Sequence, residues 1–301
     1  MATTLIVPLD MSSTAERALP LAHKLARQLS ANVVLISVID VSPDLDDFVS
    51  TKEFKEDVVR LQRDLSQYLD ERATGFDDVA VETVIRMGSA VDEISLLADG
   101  FDDAALVISS HGRSGIKRHL IGSVAMRLIH QVDCPVFVLT ARSAEAPAAQ
   151  HVHKVLVPLD GSKLSETALD MVSAMYTSEE TSLHVVRVTE VGAWRSMPFA
   201  ALDYYGDDHF YQAARQAVEQ YLQDTRSRLQ ASGWNVDIET CSGLVADEIH
   251  RAAADSGSSV IAMATHGRPG LNRLIMGSEA ERVLRDSPVP VLLQRPRPVD
   301  G

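Results

Sequence analysis

Short apolar runs alternate with longer stretches of helical periodicity throughout the chain. In the first half, Leu5–Leu9, Val33–Ile39, Val79–Ile85, Ala105–Ser109 and Val136–Leu139 are short and rich in β-branched residues. Such runs predict strands buried on both faces. Between the first two runs, Ala18, Ala22, Leu25 and Leu29 form one stripe at helical spacing. Gly88-Ser89 opens a second helical pattern through Ala98, and Gly122-Ser123 a third through His130. The acidic stretch from Asp46 to Val59 reads as a solvated helix start. Strands alternating with helices predict a parallel, doubly wound α/β sheet. Ligands of such sheets bind beyond the carboxyl ends of the strands. Asp10 and the run Ser109-Ser110-His111 fall at such ends.

The pattern occurs twice. LIVPLD at Leu5–Asp10 returns as VLVPLD at Val155–Asp160, and Val38 returns as Val188, an offset of 150 positions. Gly88, Asp92, Glu93 and Ile94 return as Gly243, Asp247, Glu248 and Ile249, now 155 positions on. The five additional residues are expected in the loop Gly192–Phe210, which carries Trp194, Phe199, Tyr204 and Tyr205. Ser143–His151 reads as a linker. The expected organisation is two five-stranded α/β domains in tandem, residues 1–143 and 152–301.

Composition narrows the function. A hydrophobic content of 46% supports substantial cores, and a formal net charge of −14 disfavours nonspecific nucleic-acid binding and anionic membranes. The first ten residues lack the basic start of a secretory signal, and no apolar run approaches the roughly 20 residues of a membrane helix. Two cysteines, Cys134 and Cys241, fit a reduced, cytoplasmic setting. They occupy unrelated repeat positions and are expected to be structural.

The chemistry centres on a duplicated loop. ISSHGRSGIKRHLIGS runs from Ile108 to Ser123, and MATHGRPGLNRLIMGS from Met263 to Ser278. Glycines let backbone approach a ligand or adopt positive φ. Loop N–H groups together with a helix N-terminus form an anion site. Without a ligand, the same residues would make a turn and an N-cap. There is no Walker lysine, no dinucleotide fingerprint after the first strand, and no nucleophile elbow, since Pro269 replaces Ser114 in the second copy. His151 and His153 have strand spacing but lack a third metal ligand.

These motifs resemble the universal stress protein family of the tandem type, over nearly all the chain. The ATP-binding branch carries Gly-x2-Gly-x9-Gly-Ser/Thr. Here Ser109, Gly112, Gly122 and Ser123 stand in that register, as do Ala264, Gly267, Gly277 and Ser278. Ser109 and Ala264 replace the family's first glycine. The resemblance implies that Asp10 and Asp160, preceded by Pro8 and Pro158, face adenosine, and that the backbone at Val38 and Val188 holds adenine. The glycine loops would hold ribose and phosphates, and His111 and His266 belong to the same loop signature at the nucleotide site; read without a ligand, each is a loop histidine that orders its turn. The loop start Asp-Gly-Ser at Asp160 fits the family pattern better than Asp-Met-Ser at Asp10. The implied ligand is ATP with Mg²⁺, acting in stress response or signalling without catalysis. A slow Mg²⁺-dependent ATPase and a nucleotide-free interaction scaffold are the alternatives. The partners implied are adenine nucleotide and a protein the sequence does not name. The final strands, at Pro135-Val136 and Pro290-Val291, are expected to pair across a pseudo-twofold axis, because an open strand edge needs a partner. That makes a dimer-like unit within one chain, with a homodimer as a further possible assembly.

Overall fold

In the computed structural model the described residues are 3–40, 52–110, 121–145, 152–189, 208–265 and 277–295. The first half contributes β1 (Thr4–Pro8), α1 (Leu19–Leu29), β2 (Asn32–Asp40), α2 (Lys52–Ala73), β3 (Val81–Gly88), α3 (Ala90–Asp99), β4 (Ala104–Ser109), α4 (Ser123–Gln131), β5 (Val136–Leu139) and α5 (Ala141–Glu145). The second contributes β6 (Lys154–Pro158), α6 (Lys163–Met175), β7 (Ser182–Thr189), α7 (Asp208–Ala231), β8 (Val236–Ser242), α8 (Val245–Asp255), β9 (Val260–Ala264), α9 (Ser278–Asp286) and β10 (Val291–Gln294).

The strands join in one ten-stranded sheet, ordered β3-β2-β1-β4-β5-β10-β9-β6-β7-β8. Pairing is parallel within each half. At the centre it is antiparallel, with Phe137 opposite Leu292 and Val136 opposite Leu293. The last strands therefore pair as expected, and they fuse the two five-stranded sheets into one. Thr140 Oγ1 reinforces the seam by donating to the Ser287 carbonyl at 2.9 Å. Gln28 clamps the start of the second half: its amide donates to the Val152 carbonyl and accepts from the Val152 N–H, both at 2.9 Å.

Strand alternation explains the two-sided burial. Leu5 and Val7 of β1 face a cluster containing Leu25 of α1, Leu69 of α2, Val172 of α6 and Leu222 of α7. Ile6 faces the opposite side, with Ile94 of α3, Leu128 of α4 and Leu284 of α9. Helices on both faces cover the sheet, so its strands read as continuous apolar runs. The stripe from Ala18 to Leu29 packs inward as the periodicity required.

Two boundaries differ from expectation. Strand β3 runs later than Val79–Ile85, because its parallel register with β2 continues to Asp40 opposite Gly88. The presumed inserted loop ends earlier than Phe210, since Asp208 already begins α7. That helix and α2 flank strands at the outer ends of the sheet, and much of their surface is solvated. Their low apolar content hid their extent. No helix among the described residues is long and apolar enough to cross a membrane.

Candidate functional site

The loops leaving β1 and β6 are built alike. After β1, the Leu9 N–H is still held by the Ile36 carbonyl at 2.8 Å. Asp10 then accepts the Ser12 N–H at 3.0 Å, and Ser12 accepts the Ala15 N–H at 3.1 Å. After β6, Leu159 bonds Val186 at 2.8 Å, Asp160 accepts the Ser162 N–H at 2.9 Å, and Ser162 caps α6 through Ser165 at 3.0 Å. These short aspartate and serine turns aim each carboxylate over the strand ends. Burial works to raise the Asp160 pKa, but hydrogen bonds from Ser162 and Ser165, with Arg187 nearby, outweigh it and hold the carboxyl below its ordinary value.

Both turns need a left-handed residue directly after the aspartate. Gly161 has φ +81° and Met11 has φ +63°. Glycine adopts that region freely, whereas a side chain makes it cost roughly 1–2 kcal/mol. Met11→Gly should therefore raise stability by about 1 kcal/mol, part of the gain being offset by unfolded-chain entropy. Thermal unfolding of the variant checks this, and an unchanged or lower midpoint would count against strain at Met11.

A cavity of about 360 Å³ opens above the first half of the sheet. Pro8, Asp10, Val38, Ser109, Gly122 and Ser123 all line it. Six predicted residues from four separate segments thus meet in one wall. The floor is apolar, formed by Ile36, Ile94, Ile108 and Leu128. Sequence reasoning did not assign these to the site, because a buried apolar residue, on strands for Ile36 and Ile108 and on helices for Ile94 and Leu128, has the same signature whether it floors a cavity or fills a core.

Gly122 caps α4 with φ −59° and ψ 145°, and Gly277 caps α9 with φ −56° and ψ 142°. Neither glycine is required for positive φ, so the freedom invoked for the loop does not apply to them. Their lack of a side chain instead leaves the helix N-terminus open. The Gly122 N–H donates to the Ser110 carbonyl, and Ser110 is itself tied to Leu139. Ser123 is the first residue of α4 rather than its cap. The first turn of α4 has no acidic residue, whereas that of α9 carries Glu279 and Glu281. The positive end of the α4 dipole therefore has no acidic side chain in its first turn to offset it.

In the second half, Pro158 ends β6 and Asp160 follows it, Val188 and Ala264 lie at the ends of β7 and β9, and Gly277-Ser278 open α9. Their order repeats that of the first site. His111, Gly112, His266 and Gly267 lie outside the described residues, as does His151. His153 Nδ1 is bonded to Ser259 Oγ at 3.1 Å. Both cysteines carry thiols pushed up to about 12, by burial at Cys134 and by burial and Glu239 at Cys241. Such thiols are poor nucleophiles at neutral pH.

Comparison with known proteins agrees with this architecture. The family model described as the universal stress protein family matches residues 1–140 and again 151–295. The universal stress protein Rv2005c of Mycobacterium tuberculosis is 31% identical over 195 residues, covering 63% of this chain and 61% of that protein's length. The universal stress protein Slr1230 of Synechocystis is 22% identical over 309 residues, covering 95% of this chain and 97% of the relative. The crystal structure of a universal stress protein from Archaeoglobus fulgidus shares the fold, with a TM-score of 0.70 and 19% identity over 100% of this chain and 98% of that one. With the duplicated motif and the doubly wound sheet, these matches show that the chain belongs to the universal stress protein family and carries two of its domains in tandem.

Proposed function

We propose that the chain binds adenine nucleotide at the carboxyl ends of its strands, as ATP with Mg²⁺, and uses it as a conformational or assembly ligand in stress response. The cavity beside the α4 N-terminus carries this reading. Its volume falls in the range of small-molecule sites, with an apolar floor and a few convergent polar groups. An apolar floor suits a purine ring, Asp10 offers acceptors to hydroxyl or amino groups, and open backbone N–H groups suit phosphate. Among the described residues, no group of three or more His, Cys, Asp or Glu is placed to hold a metal ion. Mg²⁺ would therefore enter on the phosphates, with Asp10 or Asp160 as the carboxylate nearest to hand.

Backbone amides bind the ground and transition states of a phosphate nearly alike, so such a cradle confers affinity more than rate. Turnover is expected to be far below the typical enzyme value of about 10 s⁻¹. Mass spectrometry of the supernatant from denatured protein should reveal adenine nucleotide, and calorimetry of nucleotide-stripped protein should show ATP binding. Phosphate release measured alongside tests the alternative. Several turnovers per second that vanish in a His111→Ala, His266→Ala double variant would make the protein an ATPase. Absence of any ATP binding would leave the interaction scaffold.

A further inference from the structure

Among the differences between the two halves, one brings a charged side chain to the loop after the first strand of the second half. On β7, Arg187 stands where β2 has Ser37, 150 positions earlier. The side chain of Ser37 turns down and donates to the Leu9 carbonyl at 2.8 Å, leaving a small, neutral position. Arg187 instead reaches over the loop after β6. An ideal Cβ on Gly161 would lie only 2.5 Å from its Nη1. In the first half the residue after the aspartate is Met11. Arginine and glycine thus go together in one half, serine and methionine in the other. A side chain at position 161 would require the guanidinium to move aside.

A neighbouring cluster fixes where Arg187 lies. Its guanidinium carbon sits 5.6 Å from the centre of the Tyr221 ring. Tyr221 donates to Glu166 at 2.9 Å, and Arg228 pairs with the same carboxylate at 2.9 Å. In the first half, one helical arginine performs both tasks. Arg72 lies 4.9 Å from the centre of the Tyr68 ring and 3.1 Å from Glu16, which accepts from Tyr68 at 3.0 Å. In the second half Glu166 already has its cation in Arg228. Arg187 is therefore an additional cation, braced on an aromatic face and held over Gly161 in the loop that carries Asp160.

We propose that Arg187 is a specificity-determining residue of the second site, making that site select the polyphosphate form of its ligand over the uncharged nucleoside. The proposal rests on the nucleotide reading above. With the Arg187 guanidinium over Gly161, the next residue in the chain, the negative charge of Asp160 is partly offset while its oxygens still accept hydrogen bonds. Without that guanidinium, the carboxylate would repel incoming phosphates. Influence between unit charges extends over about 10 Å at low salt, so the effect is independent of direct contact and sensitive to ionic strength.

The test is calorimetric titration of the full chain with ATP and with adenosine. It uses a Gly122→Glu background so that the second site is read alone. Arg187→Met, similar in length but neutral, should weaken ATP by about tenfold and flatten its salt dependence, while adenosine changes less than about twofold. Arg187→Lys should retain ATP binding to within about threefold. Equal losses for ATP and adenosine, or an unchanged salt dependence, would overturn the assignment and reduce Arg187 to a packing role. If neither the wild-type chain nor any variant binds ATP, the nucleotide reading itself fails, and the proposal fails with it.

Discussion

Phe137→Ala should lower the stability of the whole chain by about 3–5 kcal/mol, the usual cost of emptying a fully buried aromatic site. Phe137 is wholly buried on β5, between Val107 of β4 and Leu292 of β10. It belongs to a cluster that takes residues from both halves, including Leu5 and Leu25 from one and Val155 and Leu183 from the other. The cavity left by its ring therefore opens in a core that the halves share. Because the sheet is continuous across this seam, denaturant unfolding should show one transition, displaced as a unit. Two transitions, only one of them displaced, would mean that the domains fold independently and that the seam contributes little. An expected loss of this size is a large part of the 5–15 kcal/mol that ordinarily stabilises a domain.

The seam shows what kind of information the sequence carries. Strand identity was legible, because runs such as Leu5–Leu9 and Val33–Ile39 have no polar alternation and must be covered on both sides. The tandem organisation was legible because the Pro-Leu-Asp strand ends and the Gly-Ser helix starts recur in order. Asp10, Ser109, Gly122 and Ser123 were legible from the strand ends and the repeated loop, Pro8 and Val38 entered through the resemblance, and all of them line one cavity. Resemblance was needed to connect them, since nothing in the spacing of Val38 and Gly122 brings them together in space. Other features depend on tertiary contacts. Ile94 and Leu128 look like ordinary stripe residues, and only the packing of α3 beside α4 exposes them to the cavity. Arg187 looks like a charged residue near the end of a strand. Its role becomes visible only when Gly161, Tyr221 and Asp160 are seen around it. The long helices α2 and α7 were under-read because they are solvated over much of their surface and carry few apolar residues to mark a stripe.

Gly122→Glu should abolish ATP binding at the first site, with a loss of at least about 100-fold and little change in fold stability. The leading N–H groups of a helix have no acceptor within it, and the positive end of the helix dipole lies at the same place. In α4 this end lies beside Gly122 on the cavity wall, and no acidic side chain in the first turn neutralises it. A glutamate at position 122 would place its own carboxylate there. It would take up the amides a phosphate would use and repel the phosphate through like charge. Losing one or two charge-assisted hydrogen bonds, each worth about 1.5–3 kcal/mol, accounts for the predicted factor. The backbone has no reason to object: φ −59° and ψ 145° are accessible to any residue, and an acidic group near a helix N-terminus is mildly stabilising. Gly122→Gln, equal in size but uncharged, separates obstruction from charge and should lose only about tenfold, since it obstructs the amides without repelling the phosphate. The corresponding Gly277→Glu should cost less than Gly122→Glu. Glu279 and Glu281 already occupy the first turn of α9, where Arg282 and Arg285 hold them at 2.7 and 2.8 Å. Titrating ATP into each variant, with thermal unfolding as the control for fold, decides the matter. Wild-type affinity in Gly122→Glu, or equal losses in the glutamate and glutamine variants, would remove the α4 N-terminus from the binding site.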